Sequence, residues 1–255
     1  MNFLIIIPCL AFCAGILNGL GGSGGVVFMS SLMMLGIAPV SATSINKACA
    51  IFGSIGAVYN FCKDKSRIKE LSRVLISSSV IGAMIGAYLA LHINEMILGR
   101  IFPFLILFFL IMEISKSWLK QISLIVATEN RSKFINFIGF VSGFYNGIFG
   151  PGTLMITTLP LHIFVGMSLI DGLAIATCLN AITNFTACVT YSSGSMNIFI
   201  VPISILGLSM LANFCGQFIG SKISINSGDK ILRTITIITM SLLFVYLVVK
   251  YWFSI

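Results

Sequence analysis

The stretch Gly143–Thr153 reads GFYNGIFGPGT, and Gly15–Gly25 reads GILNGLGGSGG. Laid one on the other without a gap, they match Gly15 with Gly143, Asn18 with Asn146, Gly19 with Gly147, Gly22 with Gly150 and Gly24 with Gly152, each pair 128 positions apart. Each stretch closes an apolar run. Glycine lets a helix stop and lets backbone approach another group closely. A helix interrupted in apolar surroundings leaves N–H and C=O groups that are tolerated only where they are buried in protein or line a cavity. A duplicated break of this kind points to a membrane transporter built from internal repeats.

Composition supports a membrane setting. The 255 residues are 58% hydrophobic and 9% charged, and the mean hydropathy is +1.07. A soluble domain is about a quarter charged, so this chain lacks the polar surface to face water. Apolar segments fall at 3–20, 24–39, 42–62, 74–91 and 101–119, then at 134–150, 152–167, 172–191, 197–220 and 231–250. Their lengths suit helices crossing a core of about 30 Å, and the absence of alternation excludes a β-barrel. The N-terminal run lacks the positive region of a signal peptide and matches an internal segment, so it is expected to be a membrane helix.

The repeat continues past the glycines. After six extra residues in the second copy the offset becomes 134, where ATSIN (42–46) meets ATCLN (176–180) and Gly82 and Gly86 meet Gly216 and Gly220. The expected fold is an all-α polytopic membrane protein with glycine-broken helices. It comprises two pseudo-symmetric repeats, 1–128 and 129–255, of four to five transmembrane segments each. Twelve of the 15 Lys and Arg residues lie in 63–73, 116–133 and 221–233. Placing all three stretches in the cytoplasm requires an odd number of crossings per half, which inverts the halves relative to each other. Segments 24–39 and 152–167 either cross fully or dip in as half-helices.

A net charge of +8 would indicate nucleic acid in a soluble protein; here the basic residues set topology, and no nucleic-acid partner is expected. Seven cysteines without a CxxC pair and only two histidines leave little from which to build a metal site. No cofactor, metal or catalytic constellation is expected, so the chain reads as a non-enzyme.

The candidate site residues are those of the breaks. Backbone N–H groups near Gly22, Ser23, Gly24 and Gly25, and near Gly150, Gly152 and Thr153, stand at helix starts, where N–H groups and the helix dipole attract anions. Asn18 and Asn146 are placed to orient a ligand. Lys47, behind Asn46 in an apolar segment, is either a ligand for an anion or a lysine snorkelling to the interface. Asn180 and Asn184, one helical turn apart, either donate to substrate oxygens or bind neighbouring helices. Asp171 is read as a helix cap before a proton carrier, and Glu113 as a local ion pair with Lys116. Arg100 is read as an exposed loop charge.

On GFYNGIFGPGT, on Asn46 and Lys47 leading into GSIGAVYNF, and on ATCLNAITN (176–184), the chain resembles the TauE/SafE sulfite-exporter family over essentially its whole length. The resemblance implies a permease of the bacterial inner membrane with eight helices in two related halves. Its expected cargo is sulfite, a sulfonate or another small organosulfur anion, moved by alternating access, so the expected partners are a small anionic substrate and the lipid bilayer. Relatives often carry an acidic residue where Asn18 and Asn146 stand and a basic one where Thr177 stands. Asparagine at both positions removes the carboxylates through which protons would couple. An anion channel and a non-transporting structural membrane subunit are the alternatives.

Overall fold

The computed structural model describes residues 3–61, 66–119, 121–122, 124, 128–192, 201–226 and 230–253. They form ten α-helices and, among the described residues, no strand. The first five are α1 (Phe3–Gly19), α2 (Gly24–Met34), α3 (Pro39–Phe61), α4 (Ser66–Ala90) and α5 (Glu95–Leu119). The second five are α6 (Thr128–Ile148), α7 (Thr153–Val165), α8 (Leu169–Ser192), α9 (Ile203–Asn226) and α10 (Lys230–Val248), the last running into a π-helical turn at Val249–Phe253. Helix is the solution an apolar chain needs, because it pairs backbone groups within the segment.

Several boundaries differ from the sequence reading. Pro39 opens α3 instead of closing the segment before it, as suits a residue with fixed φ and no N–H at a first helical position. Asn94 accepts from Met96 N–H at 2.8 Å, and this side-chain cap lets α5 begin at Glu95, ahead of the apolar run at 101. Ser168, not Asp171, caps α8: its Oγ accepts from Asp171 N–H at 3.1 Å. The start of the 197–220 segment and the side chains of Lys63, Lys65, Arg67, Lys69, Arg73, Lys116, Lys120, Lys230 and Arg233 lie outside the described residues.

Among the described residues, four stretches are long and apolar enough to cross a membrane: Glu95–Ser115, Leu169–Tyr191, Ile203–Ile225 and Thr236–Phe253. Shorter apolar helices cover Ile5–Gly19, Gly24–Met34, Leu75–Ala90 and Thr153–Val165. α2 has 11 residues and α7 has 13. At 1.5 Å per residue they rise about 17 and 20 Å, less than the hydrocarbon thickness, so neither is long enough to span it. Outward faces carry rows of large apolar residues, such as Phe52, Ile55 and Tyr59 on α3 and Ile81, Met84, Ile85 and Tyr88 on α4. That surface suits lipid, and the chain is a multi-pass membrane protein.

The packing exchanges helices between the halves of the sequence: α1 lies along α9, and α4 along α6. Gly15 faces the backbone of Asn213, Gly216 and Gln217, and Gly19 faces that of Gln217, Gly220 and Ser221. Gly143 faces Ser79, and Gly147 faces Ala83, Gly86 and Ala87. A β-carbon at any of these four glycines would collide with the facing backbone, which is the close approach that small residues allow between membrane helices. Residue numbers rise together in each pair, so both pairs are parallel.

α3 joins the first pair in the same sense, with Gly53 at Asn213, Gly56 at Phe214 and Asn60 donating to Phe218 O and Ser221 Oγ, both at 2.8 Å. α8 joins the second, with Thr183 at Asn146 and Tyr191 at Gly147. Between the two groups the direction reverses: Asn180 meets Ser54, whereas Tyr191 meets Lys47. The site lies along this antiparallel α3–α8 seam.

Candidate functional site

Both helix breaks end at the same place. Gly25 at the start of α2 faces Pro151 and the Asn46 side chain, and Ser23 Oγ donates to Met155 Sδ on α7 at 3.1 Å. Between them lies a narrow cleft of about 310 Å³ counted with its open mouth. Asn18, Gly22 and Gly25 line it from the first break, and Gly150, Gly152 and Thr153 from the second. Asn46 on α3 and Asn180 and Asn184 on α8 complete the polar lining. Ala50, Pro151 and Leu154 also line it; nothing polar in those side chains marked them in the sequence.

The two breaks are built differently. In the first, Asn18 Oδ1 accepts from Gly25 N–H at 2.9 Å, and Ser23 O accepts from Val26 and Val27 N–H at 2.9 and 3.2 Å. Asn18 is thus a side-chain cap placed seven residues upstream of the N–H it satisfies. Gly22 N–H donates to Leu17 O at 2.9 Å, so the N–H groups of both Gly22 and Gly25 have partners within the protein. Gly24 packs onto Ala14 O and the backbone of Asn18, beneath the cleft lining.

In the second break, Gly150 and Gly152 adopt φ of 87° and 85°, a left-handed backbone that favours glycine. Phe109 covers Gly152 where a side chain would point. Thr153 N–H and Oγ1 both donate to Gly150 O, and Met155 and Ile156 N–H donate to Gly152 O at 3.0 and 3.2 Å. The N–H of Leu154, which lines the cleft, has no acceptor among the described residues. Val26, the residue 128 positions earlier, is paired.

Lys47 and Asn146 stand behind the cleft, outside its lining. Lys47 is completely buried. Its Nζ donates to Asn146 O and sits 5.6 Å from the centre of the Tyr191 ring. Tyr191 Oη donates to Gly147 O. The Lys47 amine and the Tyr191 phenol together satisfy carbonyls at the C-terminal end of α6. Among the described residues no carboxylate pairs with Lys47. The snorkelling reading does not hold, because the side chain reaches neither water nor an interface. Asn146 Nδ2 donates to Thr183 Oγ1, whose own hydroxyl is given to Leu179 O at 2.8 Å. That leaves Asn146 Oδ1 buried without a partner.

The α8 asparagines are tied to the protein by their amino groups. Asn180 Nδ2 donates to Ser54 Oγ at 3.0 Å, bridging α8 to α3. Asn184 Nδ2 donates to Asn180 O at 2.8 Å and Oδ1 at 3.0 Å. Thr177 Oγ1 donates to Leu173 O at 2.7 Å and is outside the lining. Glu113 is buried on α5, whereas Arg100 is exposed; neither lines the cleft. Sequence reasoning missed Tyr191, Ser54 and Thr183, whose types are ordinary in a membrane helix and whose partners are distant in sequence.

Taken together, the site is a largely neutral, amide-lined cleft between two helix starts, with one buried lysine held behind it. Among the described residues no group of three or more His, Cys, Asp or Glu side chains is placed to hold a metal ion.

Comparison with known proteins identifies relatives over nearly the whole chain. The family described as Sulfite exporter TauE/SafE matches residues 7–247. The chain is 27% identical over 244 residues to "Probable membrane transporter protein YfcA" of Escherichia coli (strain K12), covering 92% of this chain and 85% of that protein. It is 27% identical over 245 residues to a "Probable membrane transporter protein" of Haemophilus influenzae, covering 93% and 91%. It is 26% identical over 247 residues to "Probable membrane transporter protein ORF9" of a Sinorhizobium species, covering 93% and 89%. No solved structure gives a significant match.

Proposed function

The chain belongs to the TauE/SafE sulfite exporter family, and from that premise we propose that it exports a small anion, such as sulfite, a sulfonate or another organosulfur compound. It acts as a secondary transporter in the bacterial inner membrane and makes no chemical change in its cargo. The observation that carries this reading is the meeting of both broken helices on one polar cleft. In transporters of this construction the site lies where repeat-related elements meet, and rocking of one bundle against the other exposes it to alternate sides.

The bundles proposed to rock are the parallel groups α1–α3–α9 and α4–α6–α8. Matched glycine contacts support treating them as inverted repeats. Gly216 meets Phe12 O and the N–H of Ile16, while Gly82 meets Phe140 O and the N–H of Phe144. Phe12 and Phe140, like Ile16 and Phe144, are 128 positions apart, the spacing of the two glycine breaks. The seam between the groups carries the cleft, so sliding there changes access to it.

An anion suits the cleft because the first turn of α7 presents the Leu154 N–H and its dipole. Lys47 contributes positive potential from behind without touching the ligand. With asparagines at 18 and 146, proton coupling does not run through those positions.

Counterflow in proteoliposomes tests the proposal, using sulfite, sulfoacetate, taurine, thiosulfate and sulfate with and without a pH gradient. Saturable exchange of at least one of them is expected. Single-channel conductance would replace the transporter with the channel reading, and no flux of any would leave a structural subunit.

A further inference from the structure

We infer that Asn184 is a specificity-determining acceptor, and that the ligand of the cleft is an anion that also carries an O–H or N–H donor. The inference rests on the cleft being the transport site for an anion.

Asn184 lines the cleft and is 2% exposed. Its Nδ2 lies 2.8 Å from the backbone oxygen of Asn180 and 3.0 Å from that residue's Oδ1. A peptide carbonyl only accepts, so the end of the Asn184 amide facing it is the NH2 group. The remaining end is Oδ1, an acceptor that is buried and has no hydrogen-bond partner. Buried amide oxygens are nearly always paired, and one left without a donor is costly.

The rest of the lining gives the complementary half. Leu154 N–H stands open in the first turn of α7. Asn18 is held by its Oδ1 to Gly25 N–H, which leaves its NH2 end as the group available to a ligand. A ligand therefore meets donors from both breaks and an acceptor from α8. An anion with acceptor oxygens alone would satisfy the donors but set lone pairs against Asn184 Oδ1. One with an added hydroxyl, amino group or acid proton satisfies both. The other unpaired amide oxygens, on Asn146 and Gln217, are outside the cleft lining and do not bear on ligand choice.

Matched anions test this in proteoliposomes of the full chain. One arm compares counterflow of 2-hydroxyethanesulfonate with that of ethanesulfonate. The other compares sulfite below and above its second ionisation, which changes a donor-bearing anion into one without. The expected result is a KM lower by about tenfold or more for the donor-bearing member. In Asn184→Leu the ratio is expected to collapse toward one.

Selectivity confined to the sulfite arm identifies the acid proton as the donor; selectivity for the hydroxyl compound identifies a carbon-borne donor. Equal KM within both pairs for the wild type overturns the inference while leaving anion transport standing, and needs no variant to fold. A ratio unchanged in Asn184→Leu overturns the role of Asn184. No counterflow of any probe overturns the inference together with the anion-transport reading beneath it.

Discussion

The first helix break, at Gly22–Gly25, and the second, at Gly150–Thr153, share a sequence pattern and a cleft but differ in electrostatics. The first is closed upon itself: Asn18 caps Gly25, and Val26 is paired with Ser23 O. The second leaves the Leu154 N–H open and has a buried lysine and a phenol on the carbonyls that end α6. Ala181 and Ala57 occupy the positions that match Lys47 and Tyr191 at the offset of 134, so the first break has no such clamp. A duplicated backbone device can thus be retained while its two copies differ in which backbone groups they leave unpaired.

The largest effect is expected where the copies are most alike. Gly15→Leu and Gly143→Leu each force a side chain into a facing backbone, and each should cost about 3 kcal/mol or more. Thermal unfolding in detergent should show both variants failing to give a monodisperse folded protein. If only one fails, the two bundles are not packed equivalently.

Next comes the clamp. Lys47→Met leaves Asn146 O unsatisfied in an apolar setting, a loss of about 1–3 kcal/mol, and should lower the counterflow rate by releasing the end of α6. A stable variant with the wild-type rate would remove Lys47 from the account. Asn18→Ala should cost about 1 kcal/mol, the usual loss for a helix cap, while Asn18→Asp keeps an acceptor for Gly25 N–H and should melt close to wild type. The smallest change is expected for Tyr191→Phe, about 0.5–1.5 kcal/mol for one hydrogen bond, seen as a small shift in melting temperature.

Much of this site was legible before any coordinates. The glycine breaks announced themselves because glycine in apolar runs is locally conspicuous. The matched offsets then brought Asn46 together with Asn180. The short rise of α2 and α7 was not legible there, since the runs 24–39 and 152–167 left a full crossing and a half-helix both open.

What stayed hidden depended on direction and partner. Lys47 shares a helix with Asn46, yet it points to the end of α6 and not into the cleft, and only the α3–α8 crossing decides that. Asn184 read as a donor because asparagine can be one; the carbonyl of Asn180 takes its amino group and leaves Oδ1 buried and unpaired. The pairing of α1 with α9 was equally unreadable, because a glycine stripe states that something packs closely without saying which helix does. Pro39 misled as a terminator, since proline closes one helix or opens the next depending on a turn that composition does not reveal.

The central claim is that both breaks serve one transport site. Its most direct test is the KM for sulfite counterflow in proteoliposomes, measured for wild type, Asn18→Leu and Thr153→Val at matched amounts of folded protein. The account predicts saturable exchange by the wild type and a KM raised about tenfold or more in both variants, one from each break. A wild type without saturable exchange, or a KM unchanged in either variant, would contradict it.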